Sequence, residues 1–179
     1  MYRMDPDTDE FIIEISVDSY NEIFNGWDPS PVKRRDLDPE VIDFIESCAD
    51  DIPLQYPVEL HFYMPKDQRD EEKERLSIEG IRNNFAYTTA LIRRSLSDIR
   101  KKTITYAVAA FVFLTLRYMS GPIVPTNILT TILIEGLSIG GWVFLWEAFS
   151  LLFFSGQETN NQLKQYLRLL EAKIIFKYQ

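Results

Sequence analysis

Glu135 is the residue whose type and setting speak most directly of chemistry. It stands inside the apolar stretch ILTTILIEGLSIGGWVFLWEAFSLLFF, residues 128–154. In hydrocarbon an ionisable side chain costs about 2.5–3.5 kcal/mol even on the lenient insertion scale. Such a carboxyl lines a polar path, handles a proton or meets another protomer. The bland reading is a hydrogen bond within its own hairpin, to Tyr106, Thr105 or Ser138. Gly136 and Gly140 lie four residues apart beside it, followed by Gly141. Small residues at that spacing let helix backbones approach closely, so the segment around Glu135 is expected to make a tight helix contact. Glu147, flanked by Trp142 and Trp146, reads instead as a marker of the membrane–water interface.

Two further groups have chemical content. Lys33, Arg34 and Arg35 form a basic triplet in the loop Asn25 to Asp38, with the charge to hold an anion or a lipid headgroup. The alternative, favoured because exposed charge runs are mostly locally paired, is that Arg34 and Arg35 pair with Asp28, Asp36 and Asp38 and order the loop. Trp27, between Pro-bounded turns, is expected to anchor that loop in the core. His61, the single histidine, falls between Glu59 and Tyr63. It has no nucleophile beside it in sequence and reads as a surface strand residue. There is no phosphate-binding Gly-rich loop, no Cys or His metal cluster and no G-x-S-x-G elbow. The reading is therefore not an enzyme, with no cofactor and no metal.

The elements that would position these groups follow from pattern. Thr103 to Leu116 is uncharged and apolar, and residues 128–154 form a second such run. A span needs about 20 apolar residues. The first run reaches that length when Lys101, Lys102 and Arg117 snorkel to the interfaces. The expectation is a two-helix transmembrane hairpin in the lipid bilayer. Arg93, Arg94, Arg100, Lys101 and Lys102 precede it, Lys164, Arg168, Lys173 and Lys177 follow it, and the connection holds only Arg117. Basic residues stay inside. Both termini are thus expected in the cytoplasm of a multi-pass protein of the cell (inner) membrane, with the loop Ser120 to Asn127 facing outward. The N-terminal residues are acidic and read as no signal peptide, so the first span is expected to direct insertion.

Ahead of the hairpin the pattern alternates. Phe11, Ile13, Ile15 and Val17 mark one half-buried strand, and Val58, Leu60, Phe62 and Met64 mark another. Asp38-Pro39-Glu40 starts the helix between them, with Asp as N-cap and Pro at the first helical position. Strand, helix, strand implies a parallel pair. From Asp67 onward the spacing is helical, and no proline intervenes between Pro65 and Pro122. One long helix is expected to leave the head and become the first span, with Gly80 as a point of weakness. Leu163, Tyr166, Leu167 and Leu170 give a further helix face. Ile174, Phe176 and Tyr178 then alternate with Lys173, Ile175 and Lys177, a third strand that would set Lys173 and Lys177 against Glu14 and Glu59.

The fold class is thus α/β. A cytoplasmic head covers 1–66, a basic helical neck 67–102, the transmembrane hairpin 103–155, and a returning helix and strand 156–179. Residues 1–70 hold 18 acidic and 6 basic side chains, against 6 basic and 1 acidic in 82–102. An acidic head on a basic neck suits an anionic membrane surface and excludes nucleic acid as a partner of the head. The lone Cys48 forms no internal disulfide and reads as a small buried residue.

The loop WDPSPVKRRDLDPEVIDFIESCADDIPL, residues 27–54, and EGLSIGGWVFLW, residues 135–146, together resemble a family of uncharacterised prokaryotic two-span membrane proteins. That family carries a "DPSP…RDLD" loop, a basic neck and an "EGL.I.GWV..W" second span. The resemblance covers most of the chain and implies a shared architecture without an activity. Here Glu147 and Ala148 follow Trp146 where the family pattern has proline. Two functions remain. One is an oligomeric integral membrane protein whose cytoplasmic head regulates or senses, as a small channel or membrane-disrupting effector, with a homo-oligomer expected. The other is a membrane-tethered interaction module or scaffold for a cytoplasmic protein partner, without transport.

Overall fold

A computed structural model describes residues 2–6, 9–120 and 127–179. The chain divides into two compact units, Met1–Leu91 with Gln162–Gln179 and Ile92–Asn161. The cuts differ from the sequence-based boundaries, because part of the neck and the end of the chain belong with the head.

The head unit is built on a four-stranded mixed sheet in the order β1-β2-β3-β4. Its strands are β1 (Arg3–Met4), β2 (Phe11–Ser16), β3 (Val58–Met64) and β4 (Lys173–Tyr178). β2 and β3 run parallel, joined through α1 (Pro39–Asp51), as the alternation predicts. The expected returning strand is β4, which pairs parallel with β3. The two-residue β1, antiparallel to β2, has no sequence signal. Asp38 caps α1, its carboxylate accepting the Glu40 N–H at 2.9 Å, with Pro39 in the first turn. One core holds Ile13, Leu60 and Phe62 from the sheet, Ile45 from α1, and Ile81, Phe85 and Leu169 from the longer helices.

α2 (Glu71–Ser120) is the single long helix that the absence of proline predicts. Asp70 starts it, accepting the N–H groups of Glu72 and Lys73 at 3.1 Å. Gly80 is a packing position: a Cβ there would meet the Val32 carbonyl oxygen at 2.7 Å and the Phe24 ring at 2.9 Å. α3 (Ile128–Ser150) begins at a reciprocal cap between Asn127 and Thr130, and a π-helical turn, Leu151–Ser155, leads into α4 (Gly156–Glu171). The buried face of α4 carries Gln165, Tyr166 and Leu169, one position round from the leucine face read in the sequence.

Two helical stretches are long and apolar enough to cross a membrane, one in Glu71–Ser120 and one in Ile128–Glu171. In each, 6% of the most apolar stretch is buried. A helix in the core of a soluble protein would bury that surface. Here Ile104, Phe111, Ile132, Trp142 and Trp146 stand exposed. Most of the connection expected to face outward, residues 121–126, lies outside the described residues.

Candidate functional site

The loop that carries the basic triplet is closed at its base. Phe24 and Leu37 form an antiparallel bridge, and both are buried. The Asn25 N–H donates to the Asp36 carbonyl at 2.8 Å, and the Asp38 N–H to that of Ile23 at 2.9 Å. Within the loop the Asp28 carboxylate accepts the N–H groups of Ser30 and Asp36, both at 2.9 Å. The N–H of Asp36, then Ser30, holds the Asp28 carboxyl below its ordinary value. Asn25 Oδ1 accepts the Trp27 N–H at 2.9 Å. The loop is therefore ordered by carboxylate and amide oxygens taking backbone donors, not by the expected Arg–Asp pairs.

The three cations have separate fates. Lys33 reaches out of the loop to Glu79 at 2.8 Å. Arg35 Nε donates to the Ser30 carbonyl at 3.0 Å. The Arg34 side chain is exposed and forms no hydrogen bond or ion pair among the described residues. Trp27 does not anchor the loop. It is 95% exposed, because the buried Phe24 and Leu37 already pin the base and the tip hydrogen bonds hold the backbone outward.

A second constellation lies in the sheet. Glu59 and His61 are 0% and 2% exposed, and His61 Nε2 lies 2.7 Å from Glu59 Oε2. The expectation of a surface histidine is overturned. β3 runs between β2 and β4, so Glu59 is flanked by Ile12 and Lys173 and His61 by Glu14 and Ile175. The expected charge match is half made. Lys173 Nζ approaches Glu59 Oε1 at 3.6 Å, whereas Lys177 lies over the Tyr63 ring and Glu14 accepts the Tyr63 hydroxyl at 2.9 Å. Beside Glu59 opens a cleft of about 570 Å³, lined by Glu10, Tyr56, Lys164, Arg168 and Lys173 among others. Burial, then a hydrogen bond with Glu59, raises the Glu10 carboxyl above its ordinary value. His61 Nδ1 is buried with no hydrogen-bond partner among the described residues. The ring is shielded from solvent and its polar contact is with Glu59. Among the described residues no group of three or more His, Cys, Asp or Glu side chains is placed to hold a metal ion.

In the hairpin unit Glu135 meets a partner that the sequence reading did not weigh. Arg117 approaches it at 3.9 Å, with side chains 37% and 62% exposed for Arg and Glu. The three anticipated partners are otherwise engaged or apart: the Thr105 hydroxyl donates to the Lys101 carbonyl at 2.9 Å, Tyr106 packs on Phe144, and among the described residues Ser138 makes no hydrogen bond to Glu135, whose contact is with Arg117. Gly140 and Gly141 seat against the first long helix, where an added Cβ would meet Phe113 at 3.0 Å and Leu114 at 2.7 Å. Gly136 faces open space. Glu147 is exposed next to the buried Ala148.

The signal for the Arg117–Glu135 pair lay in the sequence, as opposite charges near the facing ends of two consecutive apolar runs. For Trp27 and Arg168 no local signal exists, since exposure and long-range contacts depend on the packed loop. No family model, no curated protein and no solved structure matches this chain.

Proposed function

We propose that the protein is a membrane-tethered recognition module. The hairpin of α2 and α3 anchors it in a bilayer, and the head presents the Trp27 loop to a protein partner on the cytoplasmic side. One observation carries this reading: Trp27 is 95% exposed on a loop whose base and tip are fixed by hydrogen bonds. An exposed Trp on an ordered loop that also carries the uncommitted Arg34 has the composition of an interface hot spot. The loop backbone, already held by hydrogen bonds, loses little freedom on binding.

The hairpin supports anchoring. Glu135 is met by Arg117 of the same chain, and Gly140 and Gly141 are filled by Phe113 and Leu114. Its polar group and two of its small residues are thus spent inside one chain. A second reading, an oligomer that forms a small channel, is favoured by Gly136, which leaves room for a helix of another copy.

A photoreactive amino acid placed at Trp27 in cells should crosslink to a discrete protein, while the same probe at the exposed Glu40 should not. Trp27→Ala should lose co-purification of that protein, a cost of about 2 kcal/mol or more for a hot-spot Trp. The tether reading fails if the chain purifies in rings of four or more and passes ions across vesicles in a manner abolished by Glu135→Gln.

A further inference from the structure

The hairpin unit contains a cleft that the anchor reading does not use. It has a volume of about 440 Å³ and is lined on one side by Leu96, Ile99, Arg100 and Thr103, and on the other by Leu151, Leu152, Gly156, Gln157 and Asn160. We propose that it binds one anionic glycerophospholipid, with the phosphate held by Arg100, Gln157 and Asn160 and the acyl chains leaving along Leu151 and Leu152. The proposal rests on the reading of α2 and α3 as membrane spans.

Position and chemistry carry it together. Thr103 opens the first apolar run and Leu151 and Leu152 stand near the close of the second. This is the level where hydrocarbon gives way to headgroups. On the second helical stretch the cleft is graded in the same sense, with Leu151 and Leu152 in the apolar run and Gln157 and Asn160 beyond it, while on α2 Arg100 lies one turn outside Thr103 with Leu96 and Ile99 on its head side. A phosphodiester offers acceptors to Arg100, Gln157 and Asn160, and Arg is the side chain best suited to its geometry. Free inorganic phosphate would leave the aliphatic wall uncovered, so the lipid is the fitting source of the anion.

The donors are available. The side chains of Arg100, Gln157 and Asn160 form no hydrogen bond or ion pair among the described residues. The nearby carboxylate, Asp98, is taken by Lys101 at 3.4 Å, so it does not neutralise Arg100. Thr103 is committed, donating to the Ile99 carbonyl at 2.9 Å. The helix beside the cleft is interrupted by the π-helical turn Leu151–Ser155. Such turns widen a helix locally and recur at ligand sites. Gly156, which follows it, adds no side chain to the space.

The test uses the full chain reconstituted in nanodiscs of phosphatidylcholine with a minor fraction of phosphatidylglycerol, then released for native mass spectrometry. Wild type should retain one phosphatidylglycerol in preference to phosphatidylcholine. Arg100→Gln should lower that retention by about five-fold, as expected for removing one basic contact near a lipid surface. Arg93→Gln, which removes an equal charge outside the cleft, should leave it unchanged. Asn160→Leu should also weaken it, and circular dichroism checks that each variant keeps its helices. Equal losses in Arg93→Gln and Arg100→Gln would reduce the effect to general surface charge and overturn the site. Retention unaffected by Arg100→Gln would overturn it as well, and so would full displacement by inorganic phosphate. A chain that fails to enter the nanodisc and washes off membranes in alkaline carbonate would instead overturn the membrane reading beneath it.

Discussion

Arg168 ties α4 to the end of α1 and the turn after it through more hydrogen bonds than any other described side chain of α4. Its guanidinium donates to four carbonyls, Ala49 at 2.5 Å, Ile52 and Pro53 at 3.1 Å and Tyr56 at 3.2 Å. Ala49 lies in the last turn of α1 and Ile52 caps it, where a helix leaves carbonyls without partners, while Pro53 and Tyr56 lie in the turn beyond; a cation there also complements the helix dipole. Arg168→Ala should destabilise the head by about 1.5–3 kcal/mol, the range for hydrogen bonds to a charged group. Arg168→Lys should recover only part, because an ammonium lacks the planar fork. Equal thermal midpoints for all three proteins would refute this role. Glu10 gives a pH signature of the opposite sense to a salt-bridged acid. Its value is raised in the folded chain, so its contribution is complete below the ordinary carboxylate range and is lost as pH rises through the raised value. Glu10→Gln should therefore flatten the fall in stability over that interval and stabilise the head at neutral pH. A melting curve that changes with pH identically in wild type and Glu10→Gln would contradict it.

Elements with short-range causes were legible in the sequence, and those with long-range causes were not. Asp38-Pro39-Glu40 marks the start of α1 by cap chemistry alone, and the alternation from Lys173 to Tyr178 marks β4. The same alternation misplaces Glu59 and His61. Period two assigns every second residue to solvent, whereas a strand with neighbours on both edges is shielded by their side chains, here Ile12 and Ile175. Trp27 shows the converse: a residue type that is mostly buried is held outside because the loop base was already filled. Gly80 was visible only as a weak helix residue, yet it is where α2 passes against Val32 and Phe24. Gly80→Ala raises helix propensity by about 1 kcal/mol, but its methyl would press on a backbone carbonyl. The expected balance is a loss of about 1–2 kcal/mol. A gain in thermal stability for Gly80→Ala would show that the loop yields instead.

The pairing of β3 with β4 constrains the molecule as a whole. The two strands share one sheet, and both helical stretches able to cross a membrane lie between them in the chain. Under the tether reading, residues before and after the hairpin must share one side of the bilayer, so the chain crosses an even number of times. The basic residues flanking the two apolar runs point to the same parity. A membrane-impermeant thiol reagent added outside should label Ser120→Cys and leave a cysteine tag after Gln179 unlabelled. Labelling of the tag alone would invert the proposed orientation. The order of synthesis adds a further consequence. β1, β2 and β3 emerge from the ribosome well before β4, and a chain generally folds as it is made. Under the tether reading the nascent head must therefore wait, with one edge of β3 unpaired, until the hairpin has been threaded through the bilayer and the returning strand is delivered to the same compartment. On that reading a hairpin that stalls or inserts only once leaves the edge open to proteases and chaperones, and completion of the sheet would report that insertion has succeeded.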